Sequence, residues 1–300
     1  MTSFPAERIE TASLKGMALG IFAHSCFSLH DAMVKSVISD LPAPQILFVR
    51  SLVILAICFM VGRRNLFADL VASPNRMLIL GRGLLTLAAW TMYYSAGREL
   101  QLAEMTTLYY FAPVLTTILA VIFLKEQLTL ARIGAASIGF FGVLVAANPA
   151  GFSLSLPVIM VLAAALSWAV AMILMRTISK SDSTLVQVFA QNLLHALVMG
   201  VISVPLWQAM ESWHIALCIG AGLVGGCGQF TLVEAARVVP ASVLGTVEYG
   251  ALMWSFIFGY LFWAEMPAPT VYVGAFLIVA AGLTLALSER RNRREVAQVP

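Results

Sequence analysis

Charge is what this 300-residue chain has least of: Asp, Glu, Lys and Arg make up only 11% of it. Soluble domains carry about a quarter, and no polar stretch here is long enough to hold an extramembrane core of its own. Cysteine is scarce too. The four present (Cys26, Cys58, Cys218, Cys227) fall inside apolar segments without paired spacing, which reads as small hydrophobic residues and not as disulfides or metal ligands. His24, His30, His195 and His214 show no metal spacing, and neither His-Glu-x-x-His nor a Ser/Lys dyad occurs. The expectation is therefore no catalytic residue, no metal, no cofactor and no nucleic-acid partner. A phosphate loop of the form Gly-x-x-x-x-Gly-Lys-Ser/Thr is also missing, so any work the chain does is driven by a gradient and not by ATP bound to it. No cleavable leader is expected either. Residues 1–13 mix Glu7 and Glu10 with Arg8, and the first apolar run is too long for one.

What the chain has is hydrophobicity: 60% of residues and a mean hydropathy of +0.91. A spanning helix takes about 20 predominantly apolar residues. Ten such segments fit, at 14–36, 44–62, 77–97, 102–124, 130–147, 155–177, 184–206, 214–236, 240–263 and 270–288. The expected fold is an all-α integral membrane protein of ten transmembrane helices.

The segment 81–126 recurs without a gap at 220–265. Most of the matching pairs are apolar and could arise by chance, but Arg98/Arg237, Tyr110/Tyr249 and Glu126/Glu265 share one offset. Upstream, Phe27 pairs with Trp168, Lys35 with Arg176 and Phe48 with Phe189. The chain reads as two five-helix repeats, 1–148 and 149–300, the second ending in a short basic tail.

Basic residues gather on the cytoplasmic side of membrane proteins. With the N-terminus inside, fifteen of the eighteen Lys and Arg fall on the inner side and only Lys35 and Arg98 on the outer, with Arg50 inside the second span. Both termini are thus expected in the cytoplasm, and the tail 289–295 is placed to meet anionic headgroups. Five spans per repeat invert the second copy. Accordingly Glu126, flanked by Lys125 and Arg132, has as its counterpart Glu265, without either base. Inverted repeats are an architecture of secondary transporters, whose sites lie near the midplane between the halves.

Polar and aromatic groups deep inside apolar segments mark candidate positions. Trp90, Tyr94, Tyr110, Trp168 and Tyr249 lie well inside their spans, not at the ends where an interfacial belt would put them. Glu248 is an ionisable group at mid-span: either a coupling or substrate-binding carboxyl, or a paired structural one. Asp31 either lines an aqueous path or pairs with Lys35 one turn on. Arg50 must pair, face water or snorkel. Pro113 is a candidate hinge because proline interrupts a helix. Gln229, among the glycines of the eighth span, is the counterpart of Trp90. Asn192 and His195 are expected to bond between helices, Glu126 and Glu265 to act as caps or anchors, and the fifth and tenth spans to be peripheral.

The stretches Ala112-Pro113…Lys125-Glu126 and Glu248-Tyr249-Gly250-Ala251-Leu252…Ala264-Glu265-Met266-Pro267, set in two inverted halves, resemble the drug/metabolite transporter superfamily of EamA type over residues 14–288. Leu252 departs from the pattern, standing where the repeat has Pro113. The resemblance implies a central cavity lined by spans one, three, four, six, eight and nine. It carries over to Trp90, Tyr94, Tyr110, Trp168, Gln229, Glu248 and Tyr249 as substrate-binding candidates, with Glu248, Asp31, Arg50 and Pro113 as coupling or gating candidates. Relatives include YddG-type amino-acid exporters, and the segments 31–35 and 248–249 also resemble S-adenosylmethionine carriers. The implied function is secondary transport of small amphipathic metabolites, amino acids foremost, outward across the bacterial inner membrane. S-adenosylmethionine or another cationic metabolite is the alternative, and an intramembrane enzyme the alternative of another class. The expected partners are the substrate, membrane lipid and protons, with the protein a monomer or weak homo-oligomer.

Overall fold

The computed structural model describes residues 6–62, 65–124, 130–146, 155–179, 181–238, 248 and 250–297. Among the described residues the regular structure is entirely helical: α1 (Ala6–Val37), α2 (Ala43–Gly62), α3 (Leu66–Ala72), α4 (Arg76–Ala96), α5 (Leu102–Tyr109), α6 (Ala112–Leu124), α7 (Leu130–Ala146), α8 (Leu156–Ile178), α9 (Thr184–Ser203), α10 (Ser212–Val238), α11 (Gly250–Trp263) and α12 (Pro269–Ala297). Among the described residues, five stretches are long and apolar enough to cross a membrane: Lys15–Val37, Ala43–Gly62, Leu156–Ile178, Thr184–Leu206 and Ser212–Val238.

Three elements differ from the periodic pattern for local reasons. The segment 102–124 is two helices, because Pro113 has no N–H to return to Tyr109 and its ring crowds that carbonyl. The chain turns at Tyr110 and Phe111, and α6 restarts with Pro113 in its first turn, where the missing N–H matters least. Between α2 and α4 lies the short α3, too brief to register as a span. Finally, α12 continues beyond its apolar part through the charged residues 289–295.

Helix pairing follows one rule. α1 packs on α10 and α4 on α8; α2 packs on α9 and α7 on α12; α10 also meets α2 as α9 meets α4; and α11 meets α1 as α6 meets α8. Exchanging α1 with α8, α2 with α9, α4 with α10, α6 with α11 and α7 with α12 leaves this pattern unchanged. Glycines set the close approaches. A Cβ on Gly225 would lie 2.8 Å from the His30 ring, one on Gly228 2.9 Å from Phe27, and one on Gly222 2.7 Å from Val53. α10 thus lies close against both α1 and α2 through its small face. Likewise Gly274 brings α12 onto α7, where a Cβ would come within 2.6 Å of the Gly142 carbonyl oxygen. The outer faces of this last pair are exposed and aromatic, with Phe141 and Phe276 among them.

The duplicated arginines do duplicated work. Arg98, just past α4, donates to the Leu41 carbonyl in the α1–α2 link at 3.1 Å. Arg237, at the end of α10, donates to the Asp182 carbonyl in the α8–α9 link. Asp182 also ties that link to the one between α3 and α4. Its carboxylate accepts from Ser73 and, at 2.7 Å, from Asn75. Burial opposes the Asp182 charge, but the hydrogen bonds from Asn75, Ser73 and Ser181, with Arg237 near, outweigh it and hold its pKa below the usual carboxylate range.

Candidate functional site

α1, α4, α5, α8 and α11, with the turn after α5 and residue 248, enclose a cavity of about 650 Å³, counting the space at its mouth. Its walls are aromatic and centre on Trp168 of α8. Phe27 meets the Trp168 ring edge-on at 6.3 Å, and Tyr109 and Trp90 lie 6.3 and 6.5 Å from it. Tyr93, 5.1 Å from Tyr109, and Tyr110 complete the ring of aromatics. The polar lining comprises His24, Ser28, His30, Asp31, Thr106, Glu248 and Ser255. Glu248 is buried beside the Trp168 indole N–H. A smaller space shares Asp31, Tyr93 and Leu102 with the cavity and extends it to Lys35.

Behind one wall lies a chain of hydrogen bonds. Arg50 on α2 is wholly buried, with its guanidinium 3.8 Å over the Trp90 ring. Its Nη1 donates to His30 Nε2 at 3.0 Å and to the Tyr94 hydroxyl at 3.2 Å, and that hydroxyl donates to the same His30 nitrogen at 3.1 Å. Accepting at Nε2 puts the imidazole proton on Nδ1, which donates to Asp31 Oδ1 at 3.0 Å. A cation deep in an apolar bundle is costly unless paired. Here one histidine links it to a carboxylate in the cavity wall.

Past Asp31 the space narrows toward a second cluster. Lys35 Nζ is 3.0 Å from Glu265 Oε1 and donates to the Leu100 carbonyl at 2.8 Å. Glu265 Oε2 accepts the Leu102 N–H at 2.9 Å, capping α5 from another part of the chain. Ala264, at φ 50°, makes the turn possible, with the Ala264 and Glu265 amides returning to the Tyr260 and Gly259 carbonyls.

Of the candidate residues, Trp90, Tyr110, Trp168, Glu248 and Asp31 meet at the cavity. Tyr94 and Arg50 lie behind it in the His30 chain. Gln229 is buried against α9, accepting from Asn192 at 2.8 Å, and is not among the lining residues. Pro113 is buried at the break that opens α6. Tyr249 and Glu126 are outside the described residues. Asp31 does not take the partner its helix offers: His30 holds it, while Lys35 is drawn to Glu265. His195 bonds between helices, to the Gly83 carbonyl at 3.0 Å. Phe27, Ser28, His24 and Ser255 also line the cavity. Phe27 alone carried a signal, its match to Trp168 across the repeats; serines and a lone histidine in an apolar helix carry none.

Known proteins are similar to this chain along nearly its whole length. The pseudopaline exporter of Pseudomonas aeruginosa is 25% identical, over 92% of this chain and 97% of that protein. An S-adenosylmethionine uptake transporter of Rickettsia prowazekii is 24% identical, over 93% and 95%. A riboflavin transporter of Vibrio cholerae is 26% identical over 61% and 62%. One solved crystal structure, 20% identical, shares the fold, with a TM-score of 0.64 over 94% of this chain and 98% of that one. The model of the EamA-like transporter family matches twice, at residues 14–148 and 155–287. By that double match, the chain belongs to the EamA-like transporter family.

Proposed function

We propose that this protein is a secondary transporter that carries a small amphipathic metabolite outward across the bacterial inner membrane. Amino acids, aromatic ones included, are the leading substrates. It works by alternating access around the cavity at Trp168. Ten spans in two inverted halves, 1–148 and 149–300, stand with both termini in the cytoplasm, and the unit is a monomer or weak oligomer in lipid. What carries the reading is the cavity itself: an aromatic box with two carboxyls, enclosed by helices from both halves of the chain. The exchange-symmetric helix pairing supports the two-half architecture, and the basic-residue bias supports the orientation. Trp90, Tyr110 and Trp168 hold the apolar part of the substrate, with Tyr94 behind that wall and Tyr249 a further substrate-binding residue. Glu248 couples transport to protons, Asp31 and Arg50 set the charge along the path, and Pro113 is the hinge of its span.

A cationic metabolite such as S-adenosylmethionine is the second reading. It is favoured by relatives named for uptake of that compound and by a lining that, among the described residues, includes Asp31 and Glu248 but no Lys or Arg. The test is counterflow in proteoliposomes loaded with unlabelled amino acids or S-adenosylmethionine, against labelled tracer, with and without a pH gradient. Saturable exchange that is lost in Trp168→Ala is the expected result. No exchange for any compound in the panel would refute the substrate assignment.

A further inference from the structure

We infer that Asp31 is the anchor for the substrate's positive centre, so that this cavity recognises a cationic amine or sulfonium and does not require a carboxylate. This rests on the transport reading above and names the chemistry of its site.

Three features single out Asp31. It faces both the main cavity and the space leading to Lys35, with its side chain 28% exposed, where the neighbouring His30 is 2%. Only its Oδ1 is engaged by His30. The proton on that bond is fixed to the imidazole, because His30 Nε2 already accepts from Arg50 and Tyr94. Asp31 therefore acts as a braced acceptor toward the cavity. Arg50 reaches Asp31 only through His30, and Lys35, one turn along α1, is held by Glu265 and the Leu100 carbonyl.

The rest of the cavity agrees in sign. Glu248 is a second carboxyl, and Tyr93, Tyr109 and Trp168 supply aromatic rings of the kind that attract cations. A carboxylate there would meet hydroxyl and ring N–H donors, but no ammonium or guanidinium among the described lining residues. Arg50 lies over the Trp90 ring and is not part of the lining. An ammonium or sulfonium would find carboxyls and aromatic rings there.

The test uses proteoliposomes of the full chain with labelled phenethylamine, phenylalanine and S-adenosylmethionine as tracers. Competitors are unlabelled phenethylamine, phenylalanine, phenylalanine methyl ester and N-acetylphenylalanine. The amine and the ester should compete at concentrations at least tenfold below phenylalanine, and the N-acetyl compound should not compete. Asp31→Asn, which preserves shape, should erase that ranking, and Asp31→Glu should retain it. Phenylalanine competing as well as its ester, competition by the N-acetyl compound, or an unchanged ranking in Asp31→Asn would overturn the inference while leaving transport intact. Should Asp31→Asn fail to fold, the wild-type and Asp31→Glu rankings decide. If no tracer exchanges in the wild type, the substrate assignment above falls, and this inference with it.

Discussion

Removing the carboxylate of Glu265 should loosen the end of the cavity more than the loss of one surface ion pair would. Its two oxygens hold Lys35 of α1 and the Leu102 N–H at the start of α5, at 3.0 and 2.9 Å. The Lys35 and Glu265 side chains are only 10% and 13% exposed, and the Lys35 ammonium is also 5.7 Å from the Trp263 ring centroid. At the 3.0 Å of the Lys35–Glu265 pair, two unit charges attract by about 5.5 kcal/mol at an effective dielectric constant near 20. Desolvation offsets much of this, leaving a net coupling of ~1–3 kcal/mol. Salt should screen it less than an exposed pair. Denaturant unfolding of purified protein, followed by intrinsic tryptophan fluorescence, measures it through a double-mutant cycle of Lys35→Met and Glu265→Gln. Each single variant should lose about 2 kcal/mol, and the double much less than their sum. Strictly additive losses, with a coupling under about 0.5 kcal/mol, would mean that the pair does not hold α1 to the start of α5.

Asp182→Asn should lower stability at neutral pH by roughly 1–3 kcal/mol, because it removes charge-assisted bonds joining two links. Since the folded pKa is depressed, the wild-type advantage should be full above the ordinary carboxylate range and fade as pH falls through the folded value; an equal gap between wild type and variant across that range would refute it. Gly274→Val should cut folded yield on size-exclusion chromatography by pushing α12 from the Gly142 backbone, while Gly134→Ala, with nothing within 4 Å of a built Cβ, should not. Ala264→Gly should stabilise by ~1 kcal/mol in the same unfolding assay by relieving a left-handed alanine, and a loss would show that the methyl matters more than the backbone. Glu248→Gln should abolish transport or uncouple it from a pH gradient; unchanged pH dependence in counterflow would remove the carboxyl from the mechanism.

The membrane setting, the repeat and the aromatic positions were legible because each is a signal of composition or spacing. An apolar alphabet makes Trp90, Tyr110, Trp168, Glu248 and Asp31 conspicuous, and the structure gathers all five at one cavity. Pro113 marked a break in its span for a reason internal to the backbone, and the helix does break there. Partner choice was not legible. Spacing offered Lys35 to Asp31, but packing gave Lys35 a carboxylate from the far end of the chain and gave Asp31 a histidine braced by an arginine on another helix. Gln229 shares a repeat position with Trp90, yet the close packing of α10 turns it to Asn192 and away from the lining. Sequence by itself determined which residues could carry chemistry, since burying a charge mid-span is too costly to be incidental and mid-span aromatics stand apart from an interfacial belt. Only the tertiary structure decided which of them share a space and which neutralise one another. Those choices depend on contacts a few ångströms long between residues as much as 230 positions apart in sequence.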